Sequence, residues 1–381
     1  MKLRYCKKCL DTNLRPGADF KKGVCLPCRY AHEDSYANYE LKLKILREKI
    51  KKSKQGQRNK GAYDCVIGVS GGKDSTRQAH WVRDRLEMKP LIVCCGYTPK
   101  QMSKIGAKNL SNFISKGFDL IVATPAPKTA SKLALESFIN FGNVCKSTEM
   151  ALFSTVPRLA IELGVNTIFW GENPALQVGD KNVEGLDEFD GNKMREMNTL
   201  RTGGRSWIDQ SVKNLYQSDH YIYPGPDQFK KAKINIFYLG AAWDDWSNYD
   251  NATYASLEGL TLRPGEEKET GDVSNASMLD EEFTNINMML KYYKFGFGRA
   301  TDYVAEKIRY GEITRSDAIK IVEKYDGKCS AQIIKRFCDY VGIKENYFWK
   351  IAKSWTNKDL FDVSSSKRPV PKFIVGENYH G

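Results

Sequence analysis

The segment Tyr63-Asp-Cys-Val-Ile-Gly-Val-Ser-Gly-Gly-Lys-Asp-Ser-Thr76 decides the fold. Its first half, residues 63–69, is an apolar run with the length and composition of a buried strand. Its second half is a turn with two adjacent glycines, followed by a helix predicted from Thr76 to Leu86. Adjacent glycines let the backbone bring its N–H groups against an anion, and the helix N-terminus adds positive charge there. The segment therefore predicts a phosphate-binding strand–turn–helix unit.

The sequence after this unit alternates between short apolar runs and helical segments. Further strands are predicted at 90–97, 118–124 and 165–171, and helices at 100–115, 128–140 and 147–163. This alternation is typical of βαβ units and predicts an α/β fold with a doubly wound parallel sheet. Such sheets bind ligands beyond the carboxyl ends of their strands, which is where the glycine turn would lie.

The side chains of the turn fit an anion site that includes a cation. The hydroxyls of Ser70, Ser75 and Thr76 can donate hydrogen bonds to phosphate oxygens. The Asp74 carboxylate can lie beside phosphate only if a Mg2+ ion lies between them, so Asp74 is a candidate Mg2+ ligand. The spacing is neither the Walker pattern nor the dinucleotide-binding pattern. The candidate catalytic residues are Lys73, Asp74 and, further along the chain, Glu172. The predicted nucleotide-binding residues are Ser70, Gly71, Gly72, Lys73, Asp74, Ser75 and Thr76.

Two cysteine pairs near the start of the chain have metal-ligand spacing. Cys6-x-x-Cys9 and Cys25-x-x-Cys28 can form two knuckles around one ion, giving the tetrahedral four-sulfur site that zinc prefers. A closed site of this kind is typical of a structural staple, so we expect zinc to stabilise a short ribbon. Docking of substrate or tRNA by the ribbon is the alternative.

Composition changes along the chain indicate four regions. Residues 1–32 are the predicted zinc ribbon, and residues 33–60 a basic helix (36–55) with a linker. Residues 61–235 are the predicted nucleotide-binding domain, in which 173–235 is a polar insertion with weak periodicity. Residues 236–381 are predicted to be mostly helical and to contact the substrate or a partner.

The chain is basic, with 59 Lys and Arg against 46 Asp and Glu and a formal net charge of +13. This charge is compatible with nucleic acid, with phosphate-rich small molecules, or with an acidic partner protein. No apolar run approaches the length of a membrane span, and the first residues lack the apolar core of a secretory signal. We therefore expect a cytoplasmic protein without a membrane partner.

The motif Ser70-Gly-Gly-Lys-Asp-Ser75 resembles the signature of the PP-loop ATP pyrophosphatases, in which the loop holds the pyrophosphate that leaves ATP. The cysteine pairs and four later segments resemble the bacterial N-acetyl sugar amidotransferases, and the likeness covers most of the chain. Those segments are Gly106-x-x-Asn109-Leu110, Gly171-Glu172-Asn173-Pro174, Lys294-Phe-Gly-Phe-Gly-Arg299-Ala-Thr-Asp302 and Ile308-Arg309-x-Gly311-x-Ile313-Thr314-Arg315.

This resemblance implies a reaction, its cofactors and a partner. The family converts the acetamido group of a sugar into an acetamidino group, for lipopolysaccharide, O-antigen or flagellin glycans. ATP with Mg2+ would adenylate the amide oxygen, and ammonia would then displace AMP. No glutaminase nucleophile motif is present in the sequence, so the resemblance implies a separate glutaminase subunit as the source of ammonia.

Residues outside the loop each have a functional and a structural interpretation. Glu172 is a candidate Mg2+ or substrate ligand, or else a loop-stabilising carboxylate, and Asn173 follows it as a candidate substrate ligand. Lys146 could reach phosphate from a helix start or be simply exposed. Four further residues could recognise the phosphate or carboxylate of a nucleotide-linked or free acetamido sugar, or form surface salt bridges: Arg299, Asp302, Arg309 and Arg315.

A tRNA-thiolating PP-loop enzyme is the alternative function. Such enzymes also combine zinc knuckles with this loop, and a basic surface would suit phosphate backbones. They generally use a pair of catalytic cysteines, however, and Cys145, Cys329 and Cys338 form no C-x-x-C pair. The sequence therefore favours the sugar amidotransferase, and we do not expect nucleic acid as a partner.

Overall fold

The structure is a computed structural model that describes residues 2–34, 38–58, 61–171, 194–195, 199–200, 204–211, 219–243 and 245–380. The chain begins with a ribbon, in which β1 (Phe20–Lys21) pairs antiparallel with β2 (Val24–Cys25). Two helices follow, α1 (Leu26–Asp34) and the basic α2 (Tyr39–Gln55). Among the described residues, no helix is both long enough and apolar enough to cross a membrane.

A five-stranded sheet forms the centre of the molecule. Its strands are β3 (Cys65–Val69), β4 (Pro90–Cys95), β5 (Leu120–Ala123), β6 (Thr167–Trp170) and β7 (Asn235–Tyr238). All neighbours are parallel, in the order β5-β4-β3-β6-β7. Every residue of β3 and β4 is buried, as expected for central strands covered on both faces. The predicted α/β fold with a doubly wound parallel sheet is confirmed.

Four helices connect the first strands. They are α3 (Lys73–Arg85), α4 (Lys104–Ser115), α5 (Pro127–Phe141) and α6 (Lys146–Leu163). Helix α3 begins three residues before the predicted Thr76, because Gly72 adopts an extended conformation (φ −95°, ψ 175°) directly before it. The Ser103 hydroxyl caps α4 by accepting from the Gly106 N–H at 2.8 Å. The glycine loop therefore leads directly into the N-terminus of α3.

Strand β7 extends the sheet beyond the region where the sequence predicted it to end. Residues 235–238 pair with β6, so the sheet crosses the boundary that we predicted between 235 and 236. Short helices α7 (Arg205–Ser211) and α8 (Pro226–Ala232) precede β7. The strand is only four residues long, and it forms because it pairs in parallel with β6, which is far away in sequence. Local periodicity does not reveal such a pairing.

The remaining chain is mostly helical, as predicted. Its helices are α9 (Asn248–Leu257), α10 (Glu267–Thr270), α11 (Thr284–Phe295), α12 (Arg299–Arg309), α13 (Arg315–Tyr325), α14 (Ala331–Val341) and α15 (Glu345–Trp355). A small antiparallel pair follows, β8 (Phe361–Asp362) with β9 (Val370–Pro371). The largest apolar cluster joins these helices to Phe138 of α5 and to Leu3 and Leu10 of the ribbon region. The helical region, α5 and the ribbon region therefore share one buried cluster.

The ribbon is attached to the end of the described chain. Leu3 and Tyr379 exchange two backbone hydrogen bonds of 2.9 Å, and the Tyr5 N–H donates to the Asn378 side chain at 3.0 Å. The Arg15 guanidinium pairs with Asp302 at the start of α12 at 2.6 Å. These contacts fix the ribbon against α12, one turn of which lies close to the glycine loop.

Candidate active site

The glycine loop lies at the point where the strand order reverses. From β3 the chain proceeds through β4 to β5 on one side, whereas β6 and β7 lie on the other side of β3. The carboxyl ends of β3 and β6 therefore flank a crevice, the usual ligand position in such sheets. Ser70 follows β3 directly, and Gly71 adopts the left-handed conformation (φ 90°) that a glycine allows at little cost. The loop thus directs the N-terminus of α3 into the crevice.

Close backbone packing supports the loop from the side of α4. A Cβ atom on Gly106 would lie 2.4 Å from the Asp280 carbonyl oxygen, and the position of a Cβ on Gly71 lies 3.3 Å from the Gly106 carbonyl oxygen. Glycine is thus required at position 106, because Asp280 packs against this part of α4 beside the loop. It belongs to one of the segments that carried the family resemblance.

We expect Gly106→Ala to destabilise the protein by about 1–3 kcal/mol, because the added methyl group would meet backbone atoms that cannot move aside. The sign is diagnostic, since alanine normally stabilises a helix interior relative to glycine. Urea unfolding monitored by circular dichroism measures the change. Gly225→Ala is the control, because a Cβ there lies 3.5 Å from its nearest neighbour, a flexible glutamine side chain. Equal stability of the two variants would contradict the prediction.

The first turn of α3 carries the predicted catalytic pair. The Lys73 ammonium lies 2.6 Å from Asp74 Oδ2, with 5% of the lysine side chain and 19% of the aspartate side chain exposed. The Ser75 and Thr76 hydroxyls donate to the Gly72 carbonyl at 3.1 and 2.9 Å. The helix N-terminus therefore presents its N–H groups together with one accessible carboxylate, a combination suited to a phosphate–metal pair.

Two residues that the sequence analysis did not identify hold Asp74 in place. Asn251 of α9 is fully buried, and its amide donates to Asp74 Oδ1 at 2.6 Å. The same amide accepts a hydrogen bond of 2.8 Å from Arg77. Neither residue belongs to a recognisable motif, and 177 positions separate Asn251 from Asp74.

Tyr97 and Asp280 are a second pair of residues that the sequence analysis did not identify, and Asp280 contacts the start of the loop. Asp280 accepts a hydrogen bond of 2.5 Å from the Tyr97 hydroxyl and lies against Ser70. Burial raises the pKa of Asp280, although hydrogen bonds from Tyr97 and Ser70 oppose the rise. Asp280 therefore orients the first hydroxyl of the loop and connects it to the carboxyl end of β4.

Glu281, next to Asp280, is a buried carboxyl group that caps α11. It accepts from the Phe283 N–H at 2.8 Å and the Thr284 N–H at 2.5 Å. Burial is the main reason that its pKa is raised to about 7. Because the folded protein binds this proton more tightly than the unfolded chain does, the stabilising effect of the proton is complete below about pH 4.5. It is lost as the pH rises through about 7.

Glu281→Gln is therefore expected to flatten the pH dependence of stability. In the parent protein, this group alone lowers the unfolding free energy by roughly 3 kcal/mol between about pH 4.5 and values above 7. Glutamine has no such titration. Urea unfolding at about pH 5 and about pH 8 for both proteins gives the two slopes. The same slope in parent and variant would contradict the assignment to Glu281.

One face of helix α12 carries a row of charged side chains, the charged stripe, that extends from the glycine loop to the ribbon. Arg299, Asp302, Glu306 and Arg309 follow one another at spacings of three or four residues, so they share one face. Glu306 is buried and accepts two bonds of 2.7 Å from Asn248. Burial raises the pKa of Glu306, and the charges of Arg309 and Lys73 oppose the rise. Glu306 is therefore the point where the stripe reaches the loop.

The start of the stripe is rich in positive charge. Asp302 pairs with Lys291 at 2.5 Å and with Arg15 at 2.6 Å. Although burial alone would raise the pKa of Asp302, the charges of Lys291, Arg15 and Arg299 hold it well below its usual range. Arg299 bonds the Ser277 hydroxyl, while its buried Nε has no acceptor among the described residues. Three cations thus surround one carboxylate.

Arg309 and Arg315 lie at the ribbon. Burial disfavours the charge of Arg309, but Cys9, Cys28 and Glu306 raise its pKa above the ordinary value. Arg315 donates to the carbonyls of Cys6 and Cys9 and, at 3.1 Å, to that of Gly376. The structure therefore does not bring Arg315 to the loop with Lys73 and Asp74.

The four ribbon cysteines lie close enough together to hold one metal ion. Their sulfur atoms all lie within 4.8 Å of one another, and two of the separations, Cys6–Cys28 and Cys9–Cys25, are 4.0 and 3.7 Å. Four sulfurs at about 2.3 Å from a zinc ion would be separated by nearly the same distances. Backbone N–H groups of Lys8 and Asp11 donate to Cys6 and Cys9 sulfurs at 3.4 Å, which stabilises thiolates. The donor set fits zinc.

Lys146 lies at the start of α6, as predicted, but its ammonium contacts protein. It donates to the Thr199 carbonyl at 3.0 Å and lies 4.9 Å from the centre of the Phe141 ring. Burial lowers the pKa of Lys146, and the nearby charge of Glu149 opposes the change. The structure therefore does not place Lys146 in contact with the glycine loop.

Glu172 and Asn173 lie outside the described residues, so their predicted roles remain predictions. Gly171, directly before them, is described and touches the loop helix. A Cβ on Gly171 would lie 2.8 Å from the Asp74 carbonyl oxygen, and the Trp246 indole donates to the Gly171 carbonyl at 3.0 Å. The chain therefore leaves β6 beside Asp74.

Comparison with known proteins gives a sequence match to a family model and structural likenesses that include the two described below. Residues 276–372 match the family model described as the C-terminal domain of WbpG-like LPS biosynthesis proteins. No curated protein matches the chain. The matched residues include Asp280, which lies against Ser70 of the loop, and Arg299, Asp302 and Glu306 of α12.

The structural likenesses are weaker. A glutamine-dependent NAD+ synthetase from Acinetobacter baumannii, solved with ADP, is 14% identical with a TM-score of 0.30. The match covers 75% of this chain but only 43% of the synthetase. The U34-tRNA thiolase NcsA from Methanococcus maripaludis, solved with its [4Fe-4S] cluster, is 12% identical with a TM-score of 0.25, over 79% of this chain and 88% of the thiolase. The chain is thus similar in sequence to WbpG-like proteins over its C-terminal helices.

Proposed function

We propose that this protein is an ATP-dependent amidotransferase that converts an N-acetyl group of a sugar into an acetamidino group. The reaction joins the amide oxygen to the α-phosphorus of ATP and releases pyrophosphate. Ammonia then adds to the amide carbon, the carbon–oxygen bond breaks, and AMP leaves with that oxygen. A separate glutaminase subunit supplies the ammonia.

One observation carries the proposal: the segment that matches the WbpG-like domain supplies residues that contact the glycine loop. Asp280 lies against Ser70, and the buried Glu306 lies within electrostatic range of Lys73. The anion-binding loop and the matched domain therefore form one site. LPS biosynthesis, named in the description of that family, requires chemistry on sugars.

The residues of the loop can perform the adenylation by position and charge. The N–H groups at the start of α3 would hold the departing pyrophosphate, and the Lys73 ammonium would offset its growing charge. Asp74 would hold Mg2+, with Glu172 as the candidate second ligand. Because an amide is a poor electrophile, most of the catalytic effect must come from orienting the amide oxygen toward the phosphorus.

Residues at the start of α12 are the proposed recognition site for the anionic end of the sugar. Arg299, with its unpaired Nε, and Lys291 provide positive charge beside Asp302. A phosphate or carboxylate of a nucleotide-linked or free acetamido sugar is the ligand class that suits them. Asn173 and Lys146 are proposed to contact the same substrate, as the sequence suggested.

The ribbon is proposed to hold zinc for structure. Four protein ligands leave no open coordination position, so the metal would supply no reactive water. Arg309 and Arg315 then serve to attach the ribbon, because they face the cysteines and their carbonyls. We propose this role in place of the phosphate- or carboxylate-binding role that arginines near glycines suggested for both residues.

The cysteines argue against tRNA thiolation. The six cysteines outside the ribbon are all buried, and burial raises the pKa of each. A sulfur carrier needs an accessible thiolate, since the thiol is a poor nucleophile. Among the described residues, the four ribbon cysteines are the one cluster suited to a metal.

Mass spectrometry of the reaction products tests the proposal. The protein is incubated with ATP, Mg2+ and ammonium, which replaces the glutaminase, and with a panel of nucleotide-linked and free acetamido sugars. We expect a product in which NH replaces oxygen, formed together with AMP and pyrophosphate. A heavy-oxygen label in the acetamido carbonyl should appear in AMP, which establishes that this oxygen was adenylated.

Two controls make the result decisive. The Asp74→Asn variant should form neither product nor AMP, which excludes a contaminating ATPase. Unlabelled AMP from a labelled sugar would contradict the adenylation step. Failure of every sugar, together with tight and salt-sensitive binding of tRNA, would instead support RNA modification.

A further inference from the structure

We propose that Asn251 is a positioning residue that orients the Asp74 carboxylate for Mg2+ and so couples metal binding to ATP binding. The inference rests on the proposed function only in taking ATP and Mg2+ as ligands of the loop. It concerns a residue of α9, which lies outside both the loop and the segment that matches the WbpG-like domain.

The orientation of the Asn251 amide is determined by its neighbour. Arg77 Nη1 lies 2.8 Å from Asn251 Oδ1, and a guanidinium can only donate hydrogen bonds. The amide oxygen must therefore face Arg77. The amide nitrogen consequently faces Asp74 and donates to its Oδ1 at 2.6 Å. Burial of Asn251, with none of its surface exposed, prevents water from substituting for either contact.

Arg77 is itself held rigidly. Its guanidinium stacks 4.5 Å from the centre of the Trp243 ring and bonds the carboxylate and carbonyl of Asp245. Only 5% of Arg77 is exposed. A chain of contacts thus runs from Trp243 through Arg77 and Asn251 to Asp74, and each member restricts the next.

A neutral donor between Arg77 and Asp74 has an electrostatic consequence. If Arg77 bonded Asp74 directly, its charge would neutralise the carboxylate and compete with a cation. The amide transmits the orientation without adding charge. Asp74 Oδ1 is thereby fixed, whereas Oδ2 accepts only from the Lys73 ammonium among the bonds described. Oδ2 is the oxygen that a divalent cation would take.

The test compares ATP binding with and without metal. Isothermal titration calorimetry measures the dissociation constant of ATP for the whole protein in Mg2+ and in EDTA, and the ratio of the two constants is the coupling. We expect Asn251→Leu to reduce this ratio by about 10- to 100-fold, the usual effect of removing a residue that orients a metal ligand. ATP binding in EDTA should change little, because the loop N–H groups remain.

Asn166→Leu is the matched control. Asn166 is also an almost fully buried asparagine with two hydrogen-bonding contacts, to the Ser53 carbonyl and the Thr167 hydroxyl, but it lies at the opposite end of β6. Its variant should lose stability yet retain the coupling. If Asn251→Leu does not fold, Asn251→Ser provides a smaller polar replacement that cannot reach both partners.

The outcomes separate this inference from the proposed function. A folded Asn251 variant with the parent's coupling ratio would overturn the inference, even if the parent converts acetamido sugars. Equal weakening of ATP binding in Mg2+ and EDTA would show a merely structural role and would also overturn it. Loss of coupling in a protein whose parent modifies no sugar would support the inference and contradict the proposed reaction.

Discussion

Replacing Asp74 by asparagine is expected to reduce AMP formation at least about a thousandfold while leaving the fold intact. The amide removes the negative charge that a Mg2+ ion needs, and metal-assisted phosphoryl chemistry depends strongly on that ion. The packing is preserved, because asparagine has the same shape and can still accept from the Asn251 amide. A coupled assay for AMP and pyrophosphate measures the rate, and circular dichroism confirms the fold.

Asp84→Asn is the matched control for this prediction. Asp84 lies on the same helix, α3, but near its end, where its half-exposed carboxylate pairs with Arg83. Removing that charge should leave AMP formation within about twofold of the parent, since exposed ion pairs contribute little. Comparable rates in the Asp74 and Asp84 variants would show that the loop carboxylate does not bind the metal used in catalysis.

Cys9→Ser is expected to remove zinc from the ribbon and to destabilise the whole protein. Loss of one thiolate from a closed four-sulfur site should weaken zinc binding at least about 100-fold, because four ligands share the site and structural zinc contributes directly to folding. The unfolding midpoint should fall by roughly 5 °C or more. Elemental analysis after dialysis measures the zinc, and scanning calorimetry measures the midpoint.

Cys338→Ser serves as the comparison, since Cys338 is equally buried but lies on α14 in the helical core. It should retain one zinc ion per chain. The Cys9 variant would also remove a negatively charged partner from Arg309, which lies beside the ribbon. Full zinc occupancy in the Cys9 variant would mean that the ribbon does not require all four sulfurs.

The sequence predicted those parts of the site whose functional groups lie close together along the chain, because local structure alone brings these groups into position. Ser70-Gly71-Gly72 must form a turn for steric reasons, and the following helix begins where the loop ends. The ribbon could be predicted for a similar reason, because each cysteine pair closes its own knuckle. In both cases the relevant atoms are separated by a few residues, so spacing alone determines the geometry.

The residues that the sequence did not reveal reach the site through tertiary packing. Asn251 and Asp280 contact the loop from segments about 180 and 210 positions away, and their surroundings carry no motif. Periodicity could place Arg299, Asp302 and Arg309 on one face of α12, but it could not tell that this face spans from the loop to the ribbon. Arg315 looked like a substrate ligand because arginines near glycines often are, whereas backbone carbonyls of the ribbon use its donors.

The pairing of Leu3 with Tyr379 has a consequence for the order of events on the ribosome. The ribbon is synthesised before the residues on which it docks, and a metal-bound knuckle needs only its own roughly thirty residues to form. Its docking surface, however, consists of α12, the start of α13 and residues 376–379, all of which lie far later in the chain than the ribbon. A ribbon that binds zinc early must therefore remain tethered through α2 while the sheet assembles, and it can dock only after α12 and α13 have been synthesised.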